Sequence, residues 1–204
     1  MLTSIVLASG NAGKLKEFSA LLEPLGLSVI PQSSLNISDA PEPHPTFIEN
    51  ALSKARHASA LSGLPAIADD SGLCVRALGG APGIISARYA QTSEGERSDL
   101  ANNKKLISTL QGISDRTAWY VAVLVFLTHP EDPQPLIAEA NWFGEIVDVP
   151  SGANGFGYDP HFYISELGCT VAALDPNIKN KVSHRGQAMQ ILLAKLRARG
   201  LASA

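Results

Sequence analysis

The chain has 204 residues, a formal net charge of −3 and a sequence pI of about 5.9. Hydrophobic residues make up 45% and charged residues 17%, which is the composition of a compact globular protein and excludes a disordered one. The length suits one large domain, or one domain with a subordinate lobe. The small negative charge excludes a broad basic surface for nucleic acid, so any phosphate site has to be local.

Cysteine use and the N-terminal segment indicate the compartment. Cys74 and Cys169 lie far apart and form no C-x-x-C pair, which favours reduced thiols in a cytosol-like environment. The segment "MLTSIVLASG" has no basic leader, and its apolar stretch is too short for a signal peptide or a membrane span. We therefore expect a cytoplasmic protein with no membrane partner and no nucleic-acid partner.

The first predicted element is a strand over "LTSIVLA" (2–8), followed by the turn "SGNAGK" from Ser9 to Lys14. Apolar residues then recur at helical spacing, among them Leu15, Phe18 and Leu22. Glycines at a helix N-terminus let a phosphate approach backbone N–H groups, and a lysine there adds positive charge. The spacing is not that of a Walker A loop, because no Ser or Thr follows the lysine. An ordinary strand-to-helix turn remains the alternative.

A second strand is predicted over 27–31, followed by a long, proline-broken loop over 32–45. Long loops in compact domains are often functional, and this one carries Glu42, which taken alone reads as a solvated carboxylate. Thr46 stands three residues before Glu49, the spacing of a capping box, so a helix should begin there.

The segment "LPAIADDSG" predicts a short apolar strand that ends in Asp69 and Asp70. Open α/β sheets bind ligands at the carboxyl ends of their strands, and Mg²⁺ commonly bridges a carboxylate to phosphate oxygens. Adjacent strand residues point to opposite faces, so at most one of the two serves a given pocket. The alternative is a turn-forming Asp-Asp-Ser-Gly sequence.

In the second half, the glycine- and proline-rich segment 76–90 predicts irregular structure, and a helix is predicted over 98–110. Two apolar strands over 117–150 lie on either side of "HPEDPQP" and predict an antiparallel hairpin. A glycine loop follows over 151–160, and "AMQILLAKLRARG" predicts an amphipathic C-terminal helix.

Two short motifs in this half could recognise a nucleobase. In "GFGYD", a flat base could stack on Phe156 or Tyr158, although both rings could equally be packing plugs. In "SHRG", His184 and Arg185 could donate hydrogen bonds to carbonyl oxygens of a base or to phosphate. The alternative reading of that motif is a helix start, with Ser183 as the N-cap and Arg185 as a surface residue.

Taken together, the motifs resemble one family in order and spacing along nearly the whole chain. The matching stretches are "LASGNAGKLKEF", "TFIENALSKARHA", "PAIADDSGLCVRALGGAPGIISARYA", "GFGYDPHF" and "VSHRGQAM". They resemble the inosine/xanthosine triphosphate pyrophosphatases, the noncanonical purine NTP pyrophosphatase family with Ham1-like and RdgB-like members.

The resemblance implies a fold, a reaction and an assembly. The fold is a single α/β domain over 1–204, with an elongated mixed sheet flanked by helices and two lobes with a nucleotide cleft between them. The reaction is the Mg²⁺-dependent hydrolysis of ITP, dITP and XTP to the monophosphate and pyrophosphate, which cleanses the nucleotide pool. The implied assembly is a homodimer.

The resemblance also implies roles for individual residues. Asp70 and Lys14 would be catalytic, and Asp70 and Glu42 would bind the metal, although the choice between Glu42 and Glu49 stays open. The residues expected to bind substrate are Ser9, Gly10, Asn11, Ala12, Gly13, Lys14, Ser71, Phe156, Gly157, Tyr158, Asp159, Lys179, His184 and Arg185.

Two other functions compete with this one. The first is a pyrophosphatase of related architecture that acts on other modified nucleotides. The second is a non-catalytic nucleotide- or RNA-binding module that uses the same loop and aromatic residues. The pair of candidate metal carboxylates argues against a pure binder, because a carboxylate beside phosphates weakens the binding of a polyanion.

Overall fold

A computed structural model of the chain describes residues 2–23, 26–91 and 97–202. The strands are β1 (Ser4–Ala8), β2 (Ser28–Pro31), β3 (Ala66–Val75), β4 (Thr117–Leu127), β5 (Leu136–Ile146), β6 (Phe162–Ile164) and β7 (Cys169–Thr170). The helices are α1 (Ala12–Leu22), α2 (Phe47–Ser62), α3 (Asp99–Thr109), α4 (Pro176–Val182) and α5 (His184–Ala198). No helix within those described ranges is long and apolar enough to cross a membrane.

The strands form one seven-stranded sheet in the order β2-β1-β3-β4-β5-β6-β7. The sheet is mixed, because β1 pairs in parallel with β2 and β3, whereas β6 pairs antiparallel with β5 and β7. The predicted α/β class, with a mixed sheet flanked by helices, is therefore confirmed.

The chain divides into two compact units. The first unit comprises Met1–Asp70, Ala122–Ala140 and Gln187–Ala204, and the second comprises Ser71–Val121 and Asn141–Gly186. The strands β3, β4 and β5 and the helix α5 each contribute residues to both units.

In the first unit, the register of two parallel strands places the carboxylates of β3. Ala8, the last residue of β1, pairs with Ala68 of β3, and Asp69 and Asp70 follow directly. The prediction that β3 ends at these carboxylates is wrong, because the strand continues to Val75. The strand β1 ends beside Ala68, whereas β3 continues. The turn after β1 therefore lies next to Asp69 and Asp70.

The helix boundaries follow their capping residues. The Thr46 hydroxyl accepts a hydrogen bond from the Glu49 N–H and donates one to the Glu49 carboxylate, so Thr46 is the N-cap of α2, where the sequence predicts that a helix begins. Gly63 follows the last residue of that helix as its C-cap, and its φ of 69° is the left-handed conformation that glycine adopts at little cost. Ser98 caps α3 by accepting from the Ala101 N–H at 3.3 Å.

The second unit contains short elements that the sequence did not predict. The strands β6 and β7 and the helix α4 have too few residues to show a hydrophobic period. The predicted 98–110 helix is present as α3, the predicted hairpin strands are the neighbouring β4 and β5, and α5 begins at His184. The segment predicted to be irregular contains two 3₁₀ turns, Arg76–Leu78 and Gly83–Arg88.

The core of the first unit forms where α1 packs its apolar face against the sheet. Phe18 is 0% exposed there, whereas Phe143 on β5 is 63% exposed. We expect Phe18→Ala to lower the free energy of unfolding by about 3–5 kcal/mol, the cost of a large cavity, and Phe143→Ala to lower it far less. Urea unfolding of both variants tests this, and equal losses would contradict the packing described.

Candidate active site

The turn after β1 is organised by two side chains. Asn11 caps α1, and its side-chain oxygen accepts from the Lys14 N–H at 3.0 Å. The Ser9 hydroxyl accepts from the Asn11 N–H at 3.2 Å. Gly10 is exposed, while Ala12 and Gly13 are the first two residues of α1. The predicted phosphate-binding residues therefore form a capped helix N-terminus.

Lys14 connects this turn to β3. Its Nζ lies 3.3 Å from the Asp69 carboxylate and also donates to the Asp69 carbonyl oxygen at 3.3 Å. The Asp69 side chain is fully buried, so the ion pair supplies charge that the carboxylate needs away from water. Asp69 thus holds the lysine of the turn against the strand.

The neighbouring carboxylate has a different cationic partner. Lys54 on α2 places Nζ 2.6 Å from Asp70 Oδ1 and 2.6 Å from Glu42 Oε1. One ammonium group therefore joins the carboxylates of β3 and of the loop before α2. Lys54 lies in the stretch "TFIENALSKARHA", from which no role was predicted for it. The only signal in the sequence was that Lys54 lies on a predicted helix between the candidate metal carboxylates Glu42 and Asp70.

The environment changes the acidity of this group of charges. Burial raises the pKa of Asp70 above its usual value, although the charges of Lys54 and Lys14 oppose the effect. Burial alone would lower the pKa of Lys54, but the charges and hydrogen bonds of Asp70 and Glu42 outweigh it and raise that pKa. Asp70 Oδ2 is buried and has no hydrogen-bond partner among the residues that the structure describes.

These carboxylates have the donor chemistry for a divalent cation. Mg²⁺ in proteins usually takes one or two carboxylates and completes its shell with water and substrate phosphates. Asp70 and Glu42 supply such a pair, and Asp70 Oδ2 has a lone pair to satisfy. Glu49 instead bonds to Thr46. Within residues 2–23, 26–91 and 97–202, no group of three or more His, Cys, Asp or Glu side chains could hold a metal.

In the second unit, Asp159 organises the glycine loop. Its carboxylate accepts from the Tyr120 hydroxyl at 3.1 Å, from Lys179 Nζ at 2.6 Å and from the Phe156 N–H at 3.0 Å. Burial, reinforced by the charge of Asp159, raises the pKa of Tyr120, so its hydroxyl stays protonated and donates. A Cβ on Gly155 would lie 2.1 Å from Asp159 Oδ2, which only glycine avoids.

The two aromatic residues of this loop differ in accessibility. The Tyr158 side chain is 4% exposed, and its hydroxyl donates to the Ser86 carbonyl oxygen at 2.8 Å, so its ring packs in the core. Phe156 is 38% exposed, and Lys179 Nζ lies 4.7 Å from its ring centroid. A base could therefore stack on Phe156, whereas Tyr158 is a packing residue.

The candidate base-recognition pair at the start of α5 is buried. His184 stacks on Tyr120, with ring centroids 4.7 Å apart and an interplanar angle of 11°. Arg185 Nη2 lies 3.4 Å from the Ser71 hydroxyl, and Ser71 directly follows Asp70 on β3. The alternative reading of Arg185 as a surface residue is wrong, because it is buried.

Helix α3 holds the same glycine loop from another side, a contact that the sequence did not predict. The Gly157 N–H donates to Asp99 Oδ2 at 2.7 Å, and Asn103 Nδ2 donates to the Gly157 carbonyl oxygen at 2.9 Å. The two side chains are four residues apart and so lie on one face of the helix. Nothing in the sequence pairs them with a loop more than 50 residues away.

Comparison with known proteins gives consistent matches over almost the whole chain. The Ham1 family matches residues 5–195. A dITP/XTP pyrophosphatase of Bordetella pertussis is 62% identical over 98% of this chain and 93% of its own length, and one of Chromobacterium violaceum is 58% identical over 97% and 99%. The structure of a HAM1 protein from Coxiella burnetii superposes with a TM-score of 0.89 at 46% identity, covering 97% of this chain and 100% of that one.

The Gly155–Asp159 contact predicts how the loop tolerates substitution. Gly155 and Gly157 both have positive φ, 78° and 63°, but a Cβ would clash only at Gly155. Either change to alanine costs about 1–2 kcal/mol for the left-handed backbone. We expect Gly155→Ala to lower the free energy of unfolding by clearly more than Gly157→Ala does, because it also displaces the Asp159 carboxylate. Thermal unfolding of the two variants compares them, and equal losses would contradict this account.

Proposed function

This chain belongs to the Ham1 family and is a nucleoside triphosphate pyrophosphatase, and we propose that its substrates are the noncanonical purine nucleotides dITP, XTP and ITP. We propose further that it requires Mg²⁺ and releases the monophosphate and pyrophosphate. A role as a cytoplasmic homodimer that cleanses the nucleotide pool completes the proposal. The names of the relatives, dITP/XTP pyrophosphatase, support the substrate class.

The observation that carries the proposal is the charge arrangement of the first unit. Lys14, at a helix N-terminus, pairs with Asp69, and the next residue, Asp70, is joined to Glu42 through Lys54. A protein that only binds a polyanion gains nothing from two more carboxylates beside its cations. A hydrolase needs such carboxylates to hold a metal and to accept a proton.

Asp70 and Glu42 would hold the Mg²⁺. When bound, the metal would neutralise charge on the phosphate oxygens and favour the departure of pyrophosphate. The two carboxylates lie close enough to share one cation, because Lys54 Nζ is 2.6 Å from an oxygen of each. Asp70 Oδ2, which has no partner within the described part of the chain, gives this carboxylate further capacity for a ligand.

The residues of the first unit suit hydrolysis at the α-phosphorus. In this proposal, a water oxygen forms a bond to that phosphorus, the bond to the bridging oxygen breaks, and Asp70 accepts the proton of the water. A carboxylate whose pKa is raised by burial is a stronger base than an exposed one. Lys14 and the N-terminal amides of α1 would bind the triphosphate, whose charge must be offset before a nucleophile can approach.

The residues of the second unit suit recognition of the base. Phe156 offers an exposed ring for stacking, which is worth about 1–3 kcal/mol per base. His184 and Arg185 carry donors that match the 6-oxo group of hypoxanthine and xanthine and oppose the 6-amino group of adenine. A buried polar site that mismatches a substrate can discriminate by orders of magnitude. Guanine shares the 6-oxo group, so its rejection needs a further contact at the 2-position.

A nucleotide panel tests the proposed function. Purified protein is incubated with dITP, XTP, ITP, dATP, dGTP and dUTP, with Mg²⁺ or with EDTA, and pyrophosphate and orthophosphate are measured separately. We expect pyrophosphate from dITP, XTP and ITP only in the presence of Mg²⁺, at rates at least about 100-fold above those for dATP, as donor mismatch predicts.

Asp70→Asn is the matched inactive control. The amide keeps the size of the side chain but neither accepts a proton nor carries charge, so turnover should fall about 100-fold or more while substrate still binds. Preferred release from another modified nucleotide would favour the related pyrophosphatase. Binding without pyrophosphate release from any nucleotide would favour the non-catalytic module.

Glu42 and Glu49 provide a matched pair for the metal site. Because Glu42 shares a cation with Asp70 whereas Glu49 caps α2, we expect Glu42→Gln to raise the Mg²⁺ concentration for half-maximal rate about tenfold. Glu49→Gln should leave that concentration unchanged. A magnesium titration at saturating dITP measures this concentration in both variants. If it rises only in Glu49→Gln, the metal ligand is Glu49 and not Glu42.

A further inference from the structure

The exposed ring of Phe156 stands between two fixed peptide groups. The N–H of Phe156 donates to Asp159 Oδ2, and the next N–H, that of Gly157, donates to Asp99 Oδ2 at 2.7 Å. These two peptide planes define φ and ψ of Phe156, because each peptide is rigid and only the two bonds at its Cα rotate. The direction of the ring therefore depends on Asp99 as well as on Asp159.

Asn103 completes the hold of α3 on the loop. Its Nδ2 donates to the Gly157 carbonyl oxygen at 2.9 Å, so one residue of the loop is bonded at both its N–H and its carbonyl group. Asn103 is buried, and Asp99 lies in the first turn of a helix whose N-cap is Ser98. A glycine at this position has no side chain with which to anchor itself, so the helix supplies the anchors.

We propose that Asp99 and Asn103 are positioning residues for base recognition, and that they act by fixing the Phe156 ring on which the purine stacks. This inference rests on the proposed function. Both residues belong to the second unit, whereas the phosphate-binding turn and the paired carboxylates belong to the first. Their loss should therefore weaken the binding of the base and spare the chemistry at the phosphate.

The test compares Asp99→Ala, Asp99→Asn and Asn103→Leu with wild type in steady-state kinetics on dITP. We expect Asp99→Ala and Asn103→Leu to raise KM about two- to tenfold, the equivalent of one net hydrogen bond, with kcat nearly unchanged. The KM of Asp99→Asn should lie between those of wild type and Asp99→Ala, because an amide oxygen still accepts from the Gly157 N–H.

Two controls separate positioning from general damage to α3. Ser98→Ala removes the bond from the Ala101 N–H to the helix cap, at a cost of about 0.5–2 kcal/mol in stability, but keeps both side chains that bond to Gly157, so its KM should match wild type. Inorganic tripolyphosphate carries no base, so its inhibition constant should be the same in wild type, Asp99→Ala and Asn103→Leu.

A double-mutant cycle with Phe156→Ala identifies the route of the effect. Phe156→Ala alone should raise KM about 5- to 150-fold, the loss of one stacked base. If Asp99 acts through that ring, adding Asp99→Ala should raise KM no further. An additive rise, a fall in kcat at unchanged KM, or weaker tripolyphosphate inhibition would each overturn the inference.

A failure of the proposed function can be told apart from a failure of the positioning role, because it is measured on the wild-type protein alone. If wild type releases no pyrophosphate from dITP, XTP or ITP, the base-positioning role falls together with that function. If wild type is active and only the cycle is additive, the function stands and the positioning role alone is overturned. Faster amide exchange over residues 155–158 in Asp99→Ala, but not in Ser98→Ala, would verify that the variants loosen the loop as intended.

Discussion

Two consecutive buried carboxylates in the middle of β3 have to be balanced by cations. An uncompensated buried charge is among the most costly features of a protein interior, so Asp69 and Asp70 determine what can surround them. Asp69 takes Lys14 from the first turn of α1, and Asp70 takes Lys54 from α2. Each carboxylate has its own lysine at bonding distance, because neighbouring side chains alternate along a strand, and the charge of Lys14 also reaches Asp70.

The same electrostatic requirement ties the stability of the first unit to its proposed chemistry. A carboxylate that is buried and only half satisfied has a raised pKa and an oxygen with no partner among the described residues, which are properties of a base and of a metal ligand. The lysine that stabilises it also holds Glu42 close by. Without Lys54, the carboxylates of Asp70 and Glu42 would lose the cation that they share. Lys54 is therefore part of the site.

The sequence was informative where a local signal sufficed. The N-cap at Thr46, the helical period of α1 and the apolar runs of β4 and β5 all act over a few residues, and the structure contains each of them. Long-range contacts left no such trace. The bonds from α3 to Gly157 join residues distant in the chain, and the end of β1 beside Asp70 depends on strand register. Neither feature can be predicted from the local sequence around the residues involved.

In the loop from Gly155 to Asp159, the family resemblance implies one role, substrate binding, for neighbouring residues that have different contacts in the structure. One motif supplies five neighbouring residues, yet the structure gives them different tasks. Asp159 turns inward to Tyr120 and Lys179, Tyr158 fills the core, and Phe156 alone among the three side chains is exposed. A loop that must present one ring to a ligand needs most of its other groups bonded to the protein, since every rotatable bond left open would be ordered only at the expense of binding energy.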